Sequence, residues 1–371
     1  MRFPEFSGEW KRVELKDVAE FQKSRIPADS LDASCYISTE NLIPNFGGIK
    51  EASSIPTDGN VMAIKPNDIL ISNIRPYLKK VWQSDRFGGC SADVFVLRTT
   101  RCQSDFLYNI IASDKFINYA MSGAKGVKMP RGDKRQMEEF EFSIPAIEEQ
   151  NRISRLLSLL DERIATQNKI IKDLKKLKSA IVDRLYSSIN GETYSFHQLF
   201  EVANEKNKKL IYKNVLSASQ ELGMIERSDI NIDIKFEQDS ISGYKIVRNG
   251  DYVVHLRSFQ GGFAFSDRTG ICSPAYTILR PNDLVGYGYL SHFFTSKLFI
   301  KSLKLVTYGI RDGRSINVDE WLNMTVTLPN IQEQVRILTI INAIDAKLHI
   351  EIKKQSCLFR QKSYLLNTMF I

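Results

Sequence analysis

The chain has 371 residues, 43% hydrophobic and 25% charged, with a formal charge of +8 at neutral pH. This length exceeds the roughly 100–200 residues of a typical domain and predicts two of them. The composition is that of a soluble globular protein, for which disorder is not the default, no apolar run approaches the roughly 20 residues of a membrane span, and the basic balance suits a polyanionic partner.

The opening Met1-Arg2-Phe3-Pro4-Glu5-Phe6 lacks the apolar core of a signal peptide, which predicts a cytoplasmic protein. In the first 145 residues the runs Asp68 to Ile74 and Asp93 to Leu97 read as strands, and Ser104 to Met121 reads as a helix. A longer helix is predicted over 146–188, where Ile153, Leu157, Leu160, Ile164, Ile171, Leu174, Ile181 and Leu185 alternate steps of three and four. Residues 189–329 repeat the plan, with strands over Asp251 to Leu256 and Ala275 to Leu279 and a helix from Gly288 to Leu305. Residues 330–371 form the second long helix, with Ile337, Ile341, Ile344, Leu348, Leu358, Leu365 and Met369 on its seam.

The chain is thus an internal duplication. Ser84-Asp85-Arg86 through Cys90-Ser91 returns as Ser266-Asp267-Arg268 through Cys272-Ser273, and Leu97-Arg98 as Leu279-Arg280, both at an offset of 182. Ile144-Pro145-Ala146-Ile147-Glu148-Glu149-Gln150 returns as Leu328-Pro329-Asn330-Ile331-Gln332-Glu333-Gln334 at 184. Polar interruptions of the seam also coincide, Gln167 with Glu351 and Lys178 with Lys362. A helix from Glu148 to Tyr186 spans roughly 60 Å, more than one domain's core needs. The economical arrangement buries the two stripes against each other and separates the domains; packing of each helix on its own domain is the other reading.

These features resemble the specificity subunits of type I restriction-modification systems, over essentially the whole chain. The resemblance is carried by the two Pro-containing junctions with a long helix after each, and by the openings Trp10-Lys11-Arg12-Val13-Glu14-Leu15 and Asp68-Ile69-Leu70-Ile71-Ser72. It implies an α+β chain in which two mixed target recognition domains each read one half of a split, asymmetric site on double-stranded DNA. It also implies an antiparallel helix pair that acts as spacer and docks two modification subunits. Those subunits bind S-adenosylmethionine and methylate adenine, and a restriction subunit can join. Asn330 stands where a second Pro or another small residue is common in the family.

No catalytic residue or metal site is expected in the chain itself. His197, His255, His292 and His349 lie far apart without HxxxH spacing and read as surface or packing residues, and five cysteines without a CxxC pair read as free thiols. No phosphate or dinucleotide loop and no Asn-Pro-Pro-Tyr-like segment occurs, so cofactor binding belongs to partners. Glu-x-Lys strings at Glu9, Glu14 and Glu351 lack the paired acidic residue of a nuclease.

Candidate DNA contacts are polar and basic loops at matching places in the copies. After the Asp68 strand come Asn73, Arg75, Tyr77, Lys79 and Lys80; after its partner come Arg257, Ser258 and Gln260. Before the junctions lie Lys125, Lys128, Arg131 and Lys134, matched by Tyr308, Arg311, Arg314 and Asn317. Early clusters add Lys23 and Arg25 against Lys206, Lys208 and Lys209, while Lys172, Lys175, Lys176 and Lys178 read as a solvated helix face. A stand-alone DNA-binding repressor and a structural adaptor that binds no DNA remain open beside the specificity-subunit reading.

Overall fold

In the computed structural model the described residues are 2–219, 222–229, 238–255, 262–308 and 315–369. The chain divides into two compact units, one of Met1–Asn168 with Lys353–Ile371 and one of Lys169–Ile352. Each unit therefore takes its globular part together with the first half of one long helix and the last half of the other.

In the first unit the central sheet is antiparallel, with strands in the order Ala19–Phe21, Val94–Thr99, Ile69–Ser72, Val81–Gln83. In the second unit the order is the same: Phe200–Ala203, Thr277–Pro281, Tyr252–Val254, Phe263–Phe265. The strand Ile69–Ser72 is apolar at successive positions because both faces of its sheet are covered. Ile69 and Ile71 enter the core that contains the helices, whereas Leu70 enters a smaller core with Ile37, Val94 and Val96. Tyr252 and Val254 divide from Val253 in the same way.

One ion pair recurs beneath both sheets. Asp68, 1% exposed, accepts hydrogen bonds from Arg98 Nε and Nη2, both at 2.7 Å, and Asp251 accepts them from Arg280 at 3.0 Å. Each carboxylate also takes the backbone N–H three residues earlier, from Lys65 and Arg248, closing the turn that feeds the strand. Within those turns Asn67 and Gly250 take positive φ.

The helices predicted over Ser104 to Met121 and Gly288 to Leu305 are each broken in two. The first copy has Ser104–Ile111 and Asp114–Ser122, the second Tyr289–Phe293 and Lys297–Ser302. The break comes from a serine that starts a new helix, its hydroxyl accepting the N–H three residues on: Ser113 from Phe116 and Ser296 from Phe299, both at 3.2 Å.

The long helices run Ile147–Ser187 and Ile331–Met369, and every seam position named above is buried or half-buried. In the first unit Lys362 Nζ pairs with Asp161 at 2.6 Å and Gln355 Nε2 donates to Asn168 Oδ1 at 2.5 Å. Seven residues forward on one helix are seven back on the other, so these segments lie antiparallel. In the second unit Lys178 pairs with Asp345 at 2.5 Å, the same bond as Lys362 to Asp161 after a shift of 184. Lys178 therefore sits on the seam, as its match with Lys362 predicts, and leaves the solvated face to Lys172, Lys175 and Lys176, which are exposed. Val182 and Tyr186, which the sequence reading left off the seam, are buried, and Tyr186 Oη donates to Tyr289 O at 2.5 Å.

The junction glutamines fasten each long helix to its domain. Gln150, 2% exposed, donates to Pro145 O at 2.9 Å and accepts from Gln103 N at 2.9 Å. Gln334, 1% exposed, donates to Pro329 O at 2.9 Å and accepts from Gly286 N at 2.7 Å. Among the described residues no helix is long and apolar enough to cross a membrane.

Replacing Asp68 by Ala leaves the half-buried Arg98 guanidinium and the Lys65 N–H without their acceptor and is expected to cost about 1–3 kcal/mol of first-unit stability. Hydrogen exchange of the Ile69–Ser72 amides reads it; unchanged protection would show the pair to be dispensable.

Candidate nucleic-acid interface

The strand Ile69–Ser72 ends on the first candidate loop. Ser72 N donates to Lys80 O at 3.0 Å and closes it, while Pro76–Leu78 form a single 3-10 turn between Arg75 and Lys79. Both flanking cations adopt left-handed backbone, φ 51° and 54°, a conformation that costs an L-residue roughly 1 kcal/mol or more.

The second candidate loop is a hairpin pinched at its neck. Lys125 N donates to Arg131 O and Arg131 N to Lys125 O, both at 2.9 Å, leaving residues 126–130 as the tip. Gly126 makes the bend at φ 98°.

The two loops, about fifty residues apart in sequence, are sewn together. Arg75 N donates to Pro130 O at 2.8 Å and Gly132 N to Asn73 O at 3.0 Å. A third segment joins them that the sequence reading missed: Asn45 N donates to Leu78 O, Phe46 N to Lys79 O, and Lys80 Nζ to Thr39 O at 2.6 Å. Asn45 and Phe46 at positive φ are the trace of that junction, and the Asn-Phe-Gly-Gly run was its only sequence signal.

Three cations of this surface are matched by carboxylates. Lys125 pairs with Asp133 at 2.8 Å, Arg131 with Asp93 at 2.6 Å and Lys79 with Asp114 at 2.7 Å. Lys134 Nζ sits 4.9 Å from the centre of the Phe21 ring. Burial, and then the charge of Lys50, pulls the Lys80 ammonium below its usual range. Lys50 is thus a further cation of this surface. Lys128 makes no ion pair among the described residues, and Tyr77 is 48% exposed. Arg75 Nε and Asn73 Oδ1 are buried without a hydrogen-bond partner.

Arg25 lies apart from the loop junction at Thr39, and Lys23 is exposed just before its strand. Arg25 lies on the edge strand Arg25–Pro27 of a sheet whose opposite edge, Tyr36–Ile37, leads to Thr39. The separation is three strand spacings, roughly 14 Å at about 4.8 Å each.

In the second unit the pinched hairpin recurs, with Thr307 opposite Ile316 and Tyr308 opposite Ser315. Arg257, Ser258, Gln260, Arg311 and Arg314 lie outside the described residues. Asn317 caps the helix Val318–Leu322, accepting from Glu320 N at 3.3 Å. Its counterpart Asp133 caps Lys134–Glu138 in the first unit. Lys206, Lys208 and Lys209 are exposed on a loop folded around buried Asn207, whose amide donates to Tyr212 O at 2.7 Å. His255, the counterpart of Asn73, is half-buried with Nε2 unpartnered, and burial lowers its pKa so that the ring stays neutral at neutral pH. His292 packs near Asp345. Among the described residues no group of His, Cys, Asp and Glu is placed to hold a metal ion.

The model of the type I restriction modification DNA specificity domain matches residues 7–176 and again residues 191–357. The chain belongs to that family. It carries the domain twice, as two target recognition domains in tandem. Among its relatives, the MjaVIII type I restriction enzyme specificity subunit of Methanocaldococcus jannaschii is 22% identical over 405 residues, covering 100% of this chain and 93% of that one. The EcoDI specificity subunit of Escherichia coli is 25% identical over 199 residues, 51% of this chain and 43% of that one. The fold is shared with a chain solved in work on complex assembly and conformational transition of a type I R-M system, at a TM-score of 0.61, 17% identity and 96% coverage of both chains. It is also shared with the type I S subunit from M. genitalium, at a TM-score of 0.57 and 14% identity over 98% of this chain and 96% of that one.

The geometry of the hairpin depends on Gly126, whose φ of 98° no L-residue adopts comfortably. Gly126→Ala is expected to cost the hairpin about 1 kcal/mol. That is roughly fivefold faster exchange at the Lys125 and Arg131 amides with the Ile69–Ser72 strand unaffected. Equal protection in both proteins would refute a pinched loop.

Proposed function

We propose that the chain is the non-catalytic DNA-reading subunit of a cytoplasmic type I restriction-modification complex, with each target recognition domain reading one half of a split, asymmetric site on double-stranded DNA. The observation that carries this reading is the single surface built in the first unit from Asn73 to Lys80 and from Lys125 to Arg131. A hairpin stem stands at the matching place in the second unit. Arg75, Tyr77, Lys80 and Lys128 are the side chains best placed to read or grip DNA there, with Lys50 beside them. Arg257, Ser258, Gln260, Tyr308, Arg311 and Arg314 are assigned the corresponding work in the second domain.

The long helices act as one antiparallel spacer and dock two methyltransferase subunits, which bring S-adenosylmethionine; a restriction subunit completes the nuclease. Apolar side chains left exposed along both helices are the surface assigned to that docking. Leu159 and Leu177 are 41% and 52% exposed on the first helix, and Ile350 and Phe359 are each 49% exposed on the second.

Sequencing methylated adenines in cells with and without the chain tests the function: one split motif is expected to vanish with it, and an unchanged methylome in cells expressing the system refutes the assignment. Arg75→Ala is expected to relax discrimination at one half-site, by about 1–3 kcal/mol if it reads a base. A uniform loss across all duplexes, with a salt slope lowered by about 1, would make it a phosphate contact instead.

A further inference from the structure

The tip of the first-unit hairpin is apolar where the rest of the surface is polar. Val127 is 102% exposed and Met129 47% exposed, with Lys128 between them. A single exposed apolar residue is ordinary. Two at the apex of one loop, on a stem fixed from both sides, are a different matter.

The stem is held by the paired Lys125–Arg131 hydrogen bonds, by the ion pairs Lys125–Asp133 and Arg131–Asp93, and by Arg75 N on Pro130 O. Pro130 is buried at its foot, so the tip projects from a braced base. Cations flank the apex on both sides, Lys125 before it and Arg131 after it, with Lys128 at the top. Lys125 and Arg131 are already held by Asp133 and Asp93, so Lys128 at the top is the cation with no acidic partner among the described residues; an apolar partner protein would gain nothing from covering that ammonium, whereas a nucleic acid presents phosphates at the rim and stacked apolar faces inside.

We infer that Val127 and Met129 form a wedge that enters between successive base pairs of the first half-site while Lys128 and its neighbours hold the flanking phosphates. Partial unstacking is offset by the apolar area both side chains bury, and the unbranched Met129 adapts to the opened step. The wedge adds specificity without a hydrogen bond to any base: it favours a pyrimidine–purine step, the kind that opens at least cost. This inference rests on the DNA-reading function proposed above.

The test uses the full chain assembled with its methyltransferase subunits and a duplex carrying the split motif found from the methylome. 2-Aminopurine is placed in turn at positions of the half-site that Arg75 reads, excluding the methylated adenines, whose extrusion gives a signal of its own. Fluorescence is expected to rise on binding at one step and to stay quenched in the Val127→Ser, Met129→Ser double variant. That variant should bind about tenfold more weakly, as loss of partly buried apolar area implies. Lys128→Gln should keep the fluorescence rise and lower the salt slope by about 0.9. A bound duplex with no rise at any position, or a rise that survives in the double variant, overturns the wedge and leaves the DNA-reading function intact. Normal DNA binding by the double variant with loss of its methyltransferase subunits would make the tip a protein contact and also overturn it. A wild-type complex that shows no salt-dependent binding to the duplex removes the underlying function and the wedge together.

Discussion

Asp68 is almost wholly covered, yet it accepts both forks of the Arg98 guanidinium and a backbone N–H of the turn before it. Such a carboxylate is tolerated only because its oxygens are satisfied, and that satisfaction ties together the turn, the outgoing strand Ile69–Ser72 and the neighbouring strand Val94–Thr99. The loop carrying Asn73, Arg75 and Lys80 leaves the far end of that strand, five residues on. Its position thus depends on a buried ion pair at the opposite end of a rigid element, and Asp251 with Arg280 does the same beneath the second unit. A reading surface on loops gains its accuracy from the strands that launch them.

The surface in the first unit is braced rather than open. Lys125, Lys79 and Arg131 each meet a carboxylate, so a phosphate arriving there must compete with Asp133, Asp114 or Asp93. These exposed pairs are weak individually, of the order of 1 kcal/mol or less, and exchange readily for a polyanion. Meanwhile they tie the loops to neighbouring carboxylates and lower the net positive charge of the surface. The left-handed backbone at Arg75 and Lys79 runs in the same direction: local strain is accepted to aim particular side chains. Lys80 sits under burial and beside Lys50, an arrangement an incoming anion would relieve.

The frame was legible in the sequence because its signals are periodic or duplicated. The heptad steps placed the long helices, and the offsets of 182 and 184 located the strands twice over. What escaped were features set by single side chains. Ser113 and Ser296 break a helix that periodicity alone would continue, since a hydroxyl cap overrides an apolar pattern that runs across both halves. Val182 and Tyr186 lie one position beyond the Ile181 and Leu185 seam and fill the second unit's core. At the site, residue type suggested cations, but neither pairing nor proximity is written in a linear sequence. That Arg25 lies a sheet-width from Thr39 and that the Asn45–Phe46 turn joins the surface both follow from long-range contacts with no local signature.

The duplication is repeated at the level of atoms in the frame and not in the loops. Gln150 and Gln334 make the same two kinds of bond, and Lys178 and Lys362 take equivalent aspartates, Asp345 and Asp161, on the facing helix. Lysine at a seam position is costly unless its ammonium finds a partner, so these matched pairs penalise any other register of the facing segments. Where the frame ends, matching ends as well: Asn73 gives way to His255, and the hairpin after Lys125 to one that begins at Thr307 and Tyr308. Asn73 and His255 each keep a buried polar atom without a partner at the same point of the fold. An amide and a neutral imidazole offer different donor and acceptor patterns from one position. Divergence at such a point changes the polar group that is presented and leaves the frame that presents it unchanged.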